Sequence, residues 1–301
     1  MEDNFFTSQR TALPTRTPDV LDRNYALLQQ SEGYVYKTVN DVDLGAYVFR
    51  AAADEEGKTA KPHPVALFLC SSGWDNGLVS QFAPHAIYLA SRGMTGILID
   101  YRVTARFPGS TPLDAIADAR SAVRWVREHA ADLNIDPNRI VGCGGSAGAH
   151  AILSAALRKD GDDPADDLTV SCAPNAFVLF NPILDTSPKK GVFSERFPDK
   201  RAAKRANLIP LVRRRIPPML IIHGTADRVV PYDQSVRFKK RNWWRRNECH
   251  LLPYEGQGHG FFNFNFDVRL YEHTLNDMDR FLTALDFLEE NPDDDGVPRL
   301  S

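Results

Sequence analysis

Short apolar runs alternate with helix-forming stretches along most of this chain, and that alternation restricts the fold more than any other feature. Val65 to Leu69, Gly96 to Asp100, Ile140-Val141, Ala176 to Phe180, Met219 to His223 and Cys249 to Leu252 each read as a buried strand. Between them lie helical stretches: one near Gln81 to Ser91, one after Val141 from Ala149 to Leu153, and one from Asp233 to Arg246. Pro112 opens another, with Ile116, Ala119, Val123 and Val126 recurring at helical spacing up to Ala130, and a last one runs from about Asp267 to Leu288. Strands and helices alternating at this spacing require an α/β fold, with a mostly parallel central sheet covered by helices on both faces. Tyr34 to Thr38 and Asp43 to Phe49 read as an antiparallel pair that begins the sheet, and no internal repeat is visible.

One strand-to-helix junction carries chemistry. Gly144-Gly145-Ser146-Ala147-Gly148 follows Ile140-Val141 and precedes Ala149-His150-Ala151-Ile152-Leu153. A serine in such a turn is held in a strained backbone that only small neighbours tolerate, with its Oγ raised above the end of the sheet. Ser146 is the candidate nucleophile. A hydrolytic serine needs a base, and the base needs an orienting carboxylate. The strand Met219 to His223 runs into Gly224-Thr225-Ala226-Asp227, and the strand Cys249 to Leu252 is followed by Gln257-Gly258-His259-Gly260-Phe261. Asp227 and His259 therefore fall in loops at one edge of the sheet, in the chain order Ser, Asp, His.

These segments, together with Asp100-Tyr101-Arg102 and Asp136-Pro137-Asn138-Arg139-Ile140, resemble the α/β-hydrolase esterases and lipases, especially the branch related to hormone-sensitive lipase and bacterial acetyl or feruloyl esterases. The likeness runs from about Tyr34 to about Leu288. It implies acyl transfer through a Ser146-His259-Asp227 triad and a covalent acyl-enzyme, with no metal or organic cofactor, on short-acyl or carbohydrate-linked esters. Members of this branch carry His-Gly-Gly-Gly or a Gly-rich variant after the third strand, whereas here Val65 to Leu69 runs into Cys70-Ser71-Ser72-Gly73-Trp74. Backbone N–H groups hold the oxyanion, so serine can serve if its backbone reaches the conformation. The expected donors are Ser71, Ser72 and Ala147, and the expected substrate-binding residues are Gly73, Trp74 and Phe261. Two other readings stay open: a peptidase of the prolyl-oligopeptidase kind, and an inactive binding protein that keeps the fold.

A chain of 301 residues with 43% hydrophobic composition can bury one large core. We expect an N-terminal arm over 1–33, a hydrolase domain over 34–290 and a tail over 291–301. A net charge of −3 gives no global attraction to nucleic acid, and no stretch approaches the roughly 18 apolar residues that span a bilayer. Met1 to Phe6 is acidic and lacks the basic and apolar regions of a signal peptide, which predicts a cytoplasmic protein. The oligomeric state is not legible. Cys70, Cys143, Cys172 and Cys249 have no disulfide or C-x-x-C spacing, and no H-E-x-x-H or clustered His/Asp spacing suggests a metal.

Residues 185–216 interrupt the rhythm as a cap-like insertion rich in Lys189, Lys190, Arg196, Lys200, Arg201, Lys204, Arg205, Arg213, Arg214 and Arg215. Such a segment either attracts an anionic substrate at the mouth of the site or is an ordinary solvated surface. Trp243 and Trp244 suggest carbohydrate stacking, but neighbours on a helix point to different faces, so one of the two is expected in the core. His150 and His223 read as packing and hydrogen-bonding residues, and Asp185 is the second candidate for the triad acid.

Overall fold

A computed structural model of the chain describes residues 24–52 and 61–290. Most of the expected arm, part of the charged loop from Ala52 to His63 and the tail over 291–301 lie outside the described residues. Eight strands build one sheet: β1 (Glu32–Val39), β2 (Val42–Phe49), β3 (His63–Leu69), β4 (Thr95–Ile99), β5 (Ile135–Gly145), β6 (Ala176–Phe180), β7 (Met219–Gly224) and β8 (Cys249–Tyr254). Their spatial order is β1-β2-β4-β3-β5-β6-β7-β8. The hairpin β1–β2 turns at Asn40 and Asp41, both at positive φ (50° and 60°), which matches the right-handed twist of the strands it joins. β2 pairs antiparallel with β4, and every later pair is parallel.

Besides residues 24–28, which are helical, the described residues hold the helices α1 (Ala83–Ser91), α2 (Pro112–Glu128), α3 (Ser146–Leu157), α4 (Lys200–Ala206), α5 (Asp233–Arg245) and α6 (Val268–Ala284). Period-two alternation divides each strand between two apolar layers. Val65, Leu67 and Leu69 face the layer that holds Ala119, Val123, Ile152, Leu153 and Phe238 of α2, α3 and α5. Ala66 and Phe68 face the layer that holds Ala86, Leu89, Leu275, Met278 and Phe281 of α1 and α6. Both faces of the parallel strands are covered, which is why their sequences read as continuous apolar runs rather than as alternating ones.

Two helices show how sequence sets local structure. The α2 start is a capping box in which Thr111 Oγ1 accepts from Leu113 N at 3.3 Å and Asp114 Oδ2 accepts from Thr111 N at 2.8 Å, with Pro112 in the first turn. In α3 every residue from Ser146 to Leu157 is buried, so its composition is alanine, glycine, serine and aliphatics with one histidine, His150, and no polar face. The thiols of Cys70, Cys143 and Cys172 are buried and that of Cys249 is partly so, all of them free. Burial pushes the Cys70 and Cys249 thiols up to about 12, which keeps them protonated and unreactive. No helix among the described residues is long and apolar enough to cross a membrane.

Candidate active site

β5 ends at Gly145 and α3 begins at Ser146, whose φ is +50°. A left-handed residue with a β-carbon costs roughly 1–2 kcal/mol, so the surrounding packing has to impose it. That packing is visible at the flanking glycines. A Cβ on Gly148 would sit 2.3 Å from Leu69 O, and one on Gly144 would sit 2.7 Å from Ala149 N. The first turn of α3 thus lies against the ends of β3 and β5 at a distance only glycine permits. Gly145 provides no side-chain cap, which leaves the first N–H groups of α3, Ala147 among them, directed out of the helix end.

The acid and base meet at the same edge. His259 Nδ1 lies 2.7 Å from Asp227 Oδ2. A carboxylate only accepts, so Nδ1 carries the proton and Nε2 keeps its lone pair. Asp227 Oδ1 accepts from Val229 N at 2.8 Å and Val230 N at 2.9 Å. His223 Nε2 approaches Asp227 Oδ2 at 3.3 Å and Val230 O at 3.0 Å, while its Nδ1 accepts from Ser235 Oγ at 2.7 Å. Burial raises the Asp227 carboxyl, but hydrogen bonds from His223 and His259 and from Val230 N outweigh it and hold the group well below the ordinary carboxylate range. Sequence reading took His223 as a structural hydrogen-bonding residue; it is one, and it also touches the acid. Asp185 contacts Arg237 Nη1 at 2.8 Å, Ser187 N at 2.9 Å and Asn207 Nδ2 at 2.7 Å, with no histidine among those partners. Asn181 ties the loops together, accepting from Gly224 N at 3.2 Å and donating to Gly258 O at 3.3 Å. Among the described residues no hydrogen bond joins Ser146 Oγ to His259. Such contacts commonly tighten only when substrate arrives.

The loop after β3 differs from expectation at one donor. Ser71 N donates to Gln81 Oε1 at 2.6 Å, so this N–H is already engaged. The N–H groups of Ser72, Gly73 and Ala147 have no protein partner among the described residues. Gly73 and Trp74 both take positive φ (58° and 61°), which turns the loop sharply past the serines. Hydroxyls hold that turn: Trp74 N donates to Ser72 Oγ at 2.9 Å, Ser72 Oγ lies 2.6 Å from Tyr101 OH, and Tyr101 OH donates to Cys70 O at 2.6 Å. Gln81 Nε2 donates to Asn263 Oδ1 at 2.7 Å, and Asn263 Nδ2 donates to Gly260 O at 2.7 Å, which links this loop to the one carrying His259. Sequence reading missed Gln81 and Asn263, and no local pattern marks either.

The aromatic residues divide differently from the expected set. Phe261 is fully buried against Tyr254 at 4.7 Å and Phe262 at 6.1 Å, so its ring belongs to the core rather than to a surface that substrate could touch. Phe262 stacks on Phe180 at 4.7 Å and approaches Gly145. Trp74 is also buried, with its indole edge-on to His150, Phe193 and Phe197. His150 Nδ1 lies 2.9 Å from Ile183 O, and burial pushes its imidazole down to about 4. The basic segment does not stay at one edge of the sheet. Phe193 and Phe197 pack near the turn after β3, and Arg196 reaches Asp75 at 3.6 Å, whereas Arg213 bonds the carbonyls of Ala156 and Leu157 at the other end of α3.

A family model described as BD-FAE matches residues 55–241. Esterase LipC of Mycobacterium tuberculosis is 30% identical over 224 residues, 67% of this chain and 54% of that protein. The chain spans about half the length of the curated relatives it matches. Among solved structures, Thermogutta terrifontis esterase 2 phosphorylated by paraoxon aligns with a TM-score of 0.79 at 38% identity, covering 88% of this chain and 97% of that one. Its butyrate-bound form aligns with a TM-score of 0.79 at 37% identity, covering 88% and 97%. With its eight-stranded, mostly parallel sheet and a family match over more than half its length, the chain belongs to the BD-FAE family and has the α/β-hydrolase fold.

Proposed function

We propose that the protein is a serine carboxylic-ester hydrolase acting on short-acyl esters or on carbohydrate-linked esters of the acetyl or feruloyl type. One observation carries the reading: a strained Ser146 at the head of α3 shares a sheet edge with a His259–Asp227 pair closed at 2.7 Å. Neutral His259, oriented by Asp227, takes the Ser146 proton through Nε2 as Oγ attacks the ester carbonyl. The N–H groups of Ser72, Gly73 and Ala147 hold the oxyanion, each supplying up to roughly 2.7–4 kcal/mol of transition-state stabilisation. The imidazolium then protonates the leaving alcohol, and water repeats the sequence to release the acid. The likeness to an esterase solved with butyrate bound and also phosphorylated by paraoxon supports both the short-acyl preference and an activated nucleophile.

Nitrophenyl acetate, butyrate and octanoate, with a feruloyl ester and an acetylated polysaccharide, test reaction and range together. Turnover should be greatest for the short chains and absent in Ser146→Ala, and a fluorophosphonate should label wild type stoichiometrically but not that variant. Failure of the folded wild type to become labelled would leave the inactive binding reading, and turnover of aminoacyl amides in preference to esters would favour the peptidase.

A further inference from the structure

Many arginines among the described residues are matched to acids, such as Arg50 to Glu32, Arg92 to Asp279, Arg102 to Asp118, Arg124 to Asp166 and Arg237 to Asp185, and others, such as Arg127 and Arg213, are held by backbone carbonyls. At the start of β7 and β8 four of the described arginines converge with neither kind of partner. Arg214, Arg215, Arg245 and Arg246 form no ion pair among the described residues, and together they line a pocket of about 350 Å³ with Asn247 and Glu248. Glu248 is within 3.1 Å of His250, its neighbour on β8.

The pocket is built, not a chance accumulation of charge. Arg215 and Arg246 hold φ of +61° and +58°, where glycine or asparagine is the ordinary choice and a larger side chain costs free energy. Asn247 clamps the two turns that carry them, accepting from Arg215 N at 2.9 Å and donating to Arg213 O at 2.7 Å and Asn242 Oδ1 at 3.0 Å. Immediately before Arg245, Trp243 and Trp244 are 69% and 65% exposed and meet edge to face at 5.0 Å, so neither is the core residue that helical spacing leads one to expect. Guanidinium forks match planar or tetrahedral oxyanions in a two-point geometry, and a concave pocket selects a discrete charged group over a flat surface.

We propose that this pocket binds the sulfate or carboxylate groups of an anionic polysaccharide, with Trp243 and Trp244 stacking on neighbouring sugar rings. The site is separate from Ser146. It sits at the N-terminal end of β7 and Asp227 follows the C-terminal end, five residue steps or about 17 Å apart along the strand. That is about twice the screening length of physiological salt, so an anion held there leaves the ester-cleaving chemistry unperturbed.

The test is titration calorimetry and salt elution of the full chain with heparin and with polygalacturonate, set beside phosphatidylglycerol vesicles and duplex DNA. Arg214→Ser/Arg245→Ser should weaken glycan binding at least tenfold, Trp243→Ala/Trp244→Ala should weaken it with the salt dependence preserved, and short-ester turnover should stay within twofold in both. Lys239→Ser/Lys240→Ser removes equal charge from α5 outside the pocket and should have a smaller effect. The proposal fails if wild type binds neither glycan, if the lysine pair matters as much as the arginine pair, or if vesicles or DNA bind more tightly than both glycans.

Discussion

Gln81 is the most informative residue to change, because it is bonded to two loops of the proposed site without belonging to either. Its Oε1 takes the Ser71 N–H at 2.6 Å, and its Nε2 reaches Asn263 Oδ1 at 2.7 Å. Gln81→Ala removes these two bonds and a longer third from Nε2 to Ser71 Oγ at 3.3 Å, each worth about 0.5–1.5 kcal/mol net, and leaves a partly buried N–H to find water, so stability should fall by roughly 1.5–4.5 kcal/mol. The catalytic effect has a separate ceiling. If the loop relaxes enough to spoil half of one oxyanion donor, the transition state loses about 1.5–2 kcal/mol, a ten- to thirtyfold fall in kcat with KM nearly constant. Gln81→Glu retains the acceptor for Ser71 N but loses the donor to Asn263 Oδ1 and Ser71 Oγ and adds negative charge. That charge opposes the forming oxyanion; a separation of about 8 Å at an effective dielectric of about 20 corresponds to a cost of about 2 kcal/mol more. The assay is steady-state hydrolysis of nitrophenyl butyrate together with thermal unfolding. A kcat within twofold of wild type in both variants, with only the melting temperature lowered, would refute a positioning role, as would a loss confined to KM.

Two other expectations follow from the same geometry. Val229 N and Val230 N both need an acceptor at Oδ1 of residue 227, so Asp227→Asn must turn its amide nitrogen towards His259 and force the proton onto Nε2; kcat should drop by about 10⁴ with the fold intact. Stability should also decline on acidification below about pH 6.5. Burial depresses His85 to about 3 and His150 to about 4, so from pH 6.5 downward the unfolded chain binds protons the folded one refuses, at about 1.4 kcal/mol per pH unit for each histidine until its folded value is reached. His85, ringed by Phe82, Phe180 and Tyr271, can be tested alone: His85→Phe should flatten the fall of urea stability between pH 6 and 4, and an unchanged slope would reject the assignment.

The strands were legible because each is a contiguous apolar run with turn residues at its ends; Ala176 to Phe180 is a strand at the expected bounds. Boundaries moved where local pattern and tertiary pairing disagree. β5 starts at Ile135 because its first residue pairs with His63, a contact the polar sequence Asp136 to Arg139 does not announce. The expected helix from Gln81 divides into a 3-10 turn over Val79–Phe82 and α1, with Pro84 in the first turn of α1. The elbow is readable since its glycines serve contacts within a few residues. Gln81 is not, since its partner Asn263 is 182 positions away. The basic segment displayed its charge but not its path, because charge carries no direction along a sheet.

The helix that carries Ser146 has no solvent-facing stripe to stabilise it before the rest of the molecule assembles. All twelve of its residues are enclosed, chiefly small ones with little intrinsic means of holding a lone helix in water. It can acquire its place only as β5, which runs directly into it, and the more distant β3 and α2 close around it, and contacts between distant parts of a sequence are slow to form. The nucleophile's strained backbone is thus assembled by the cooperative transition itself. A partly folded chain of this protein would be an inert one, and return of fluorophosphonate labelling after dilution from denaturant would time the completion of the whole domain.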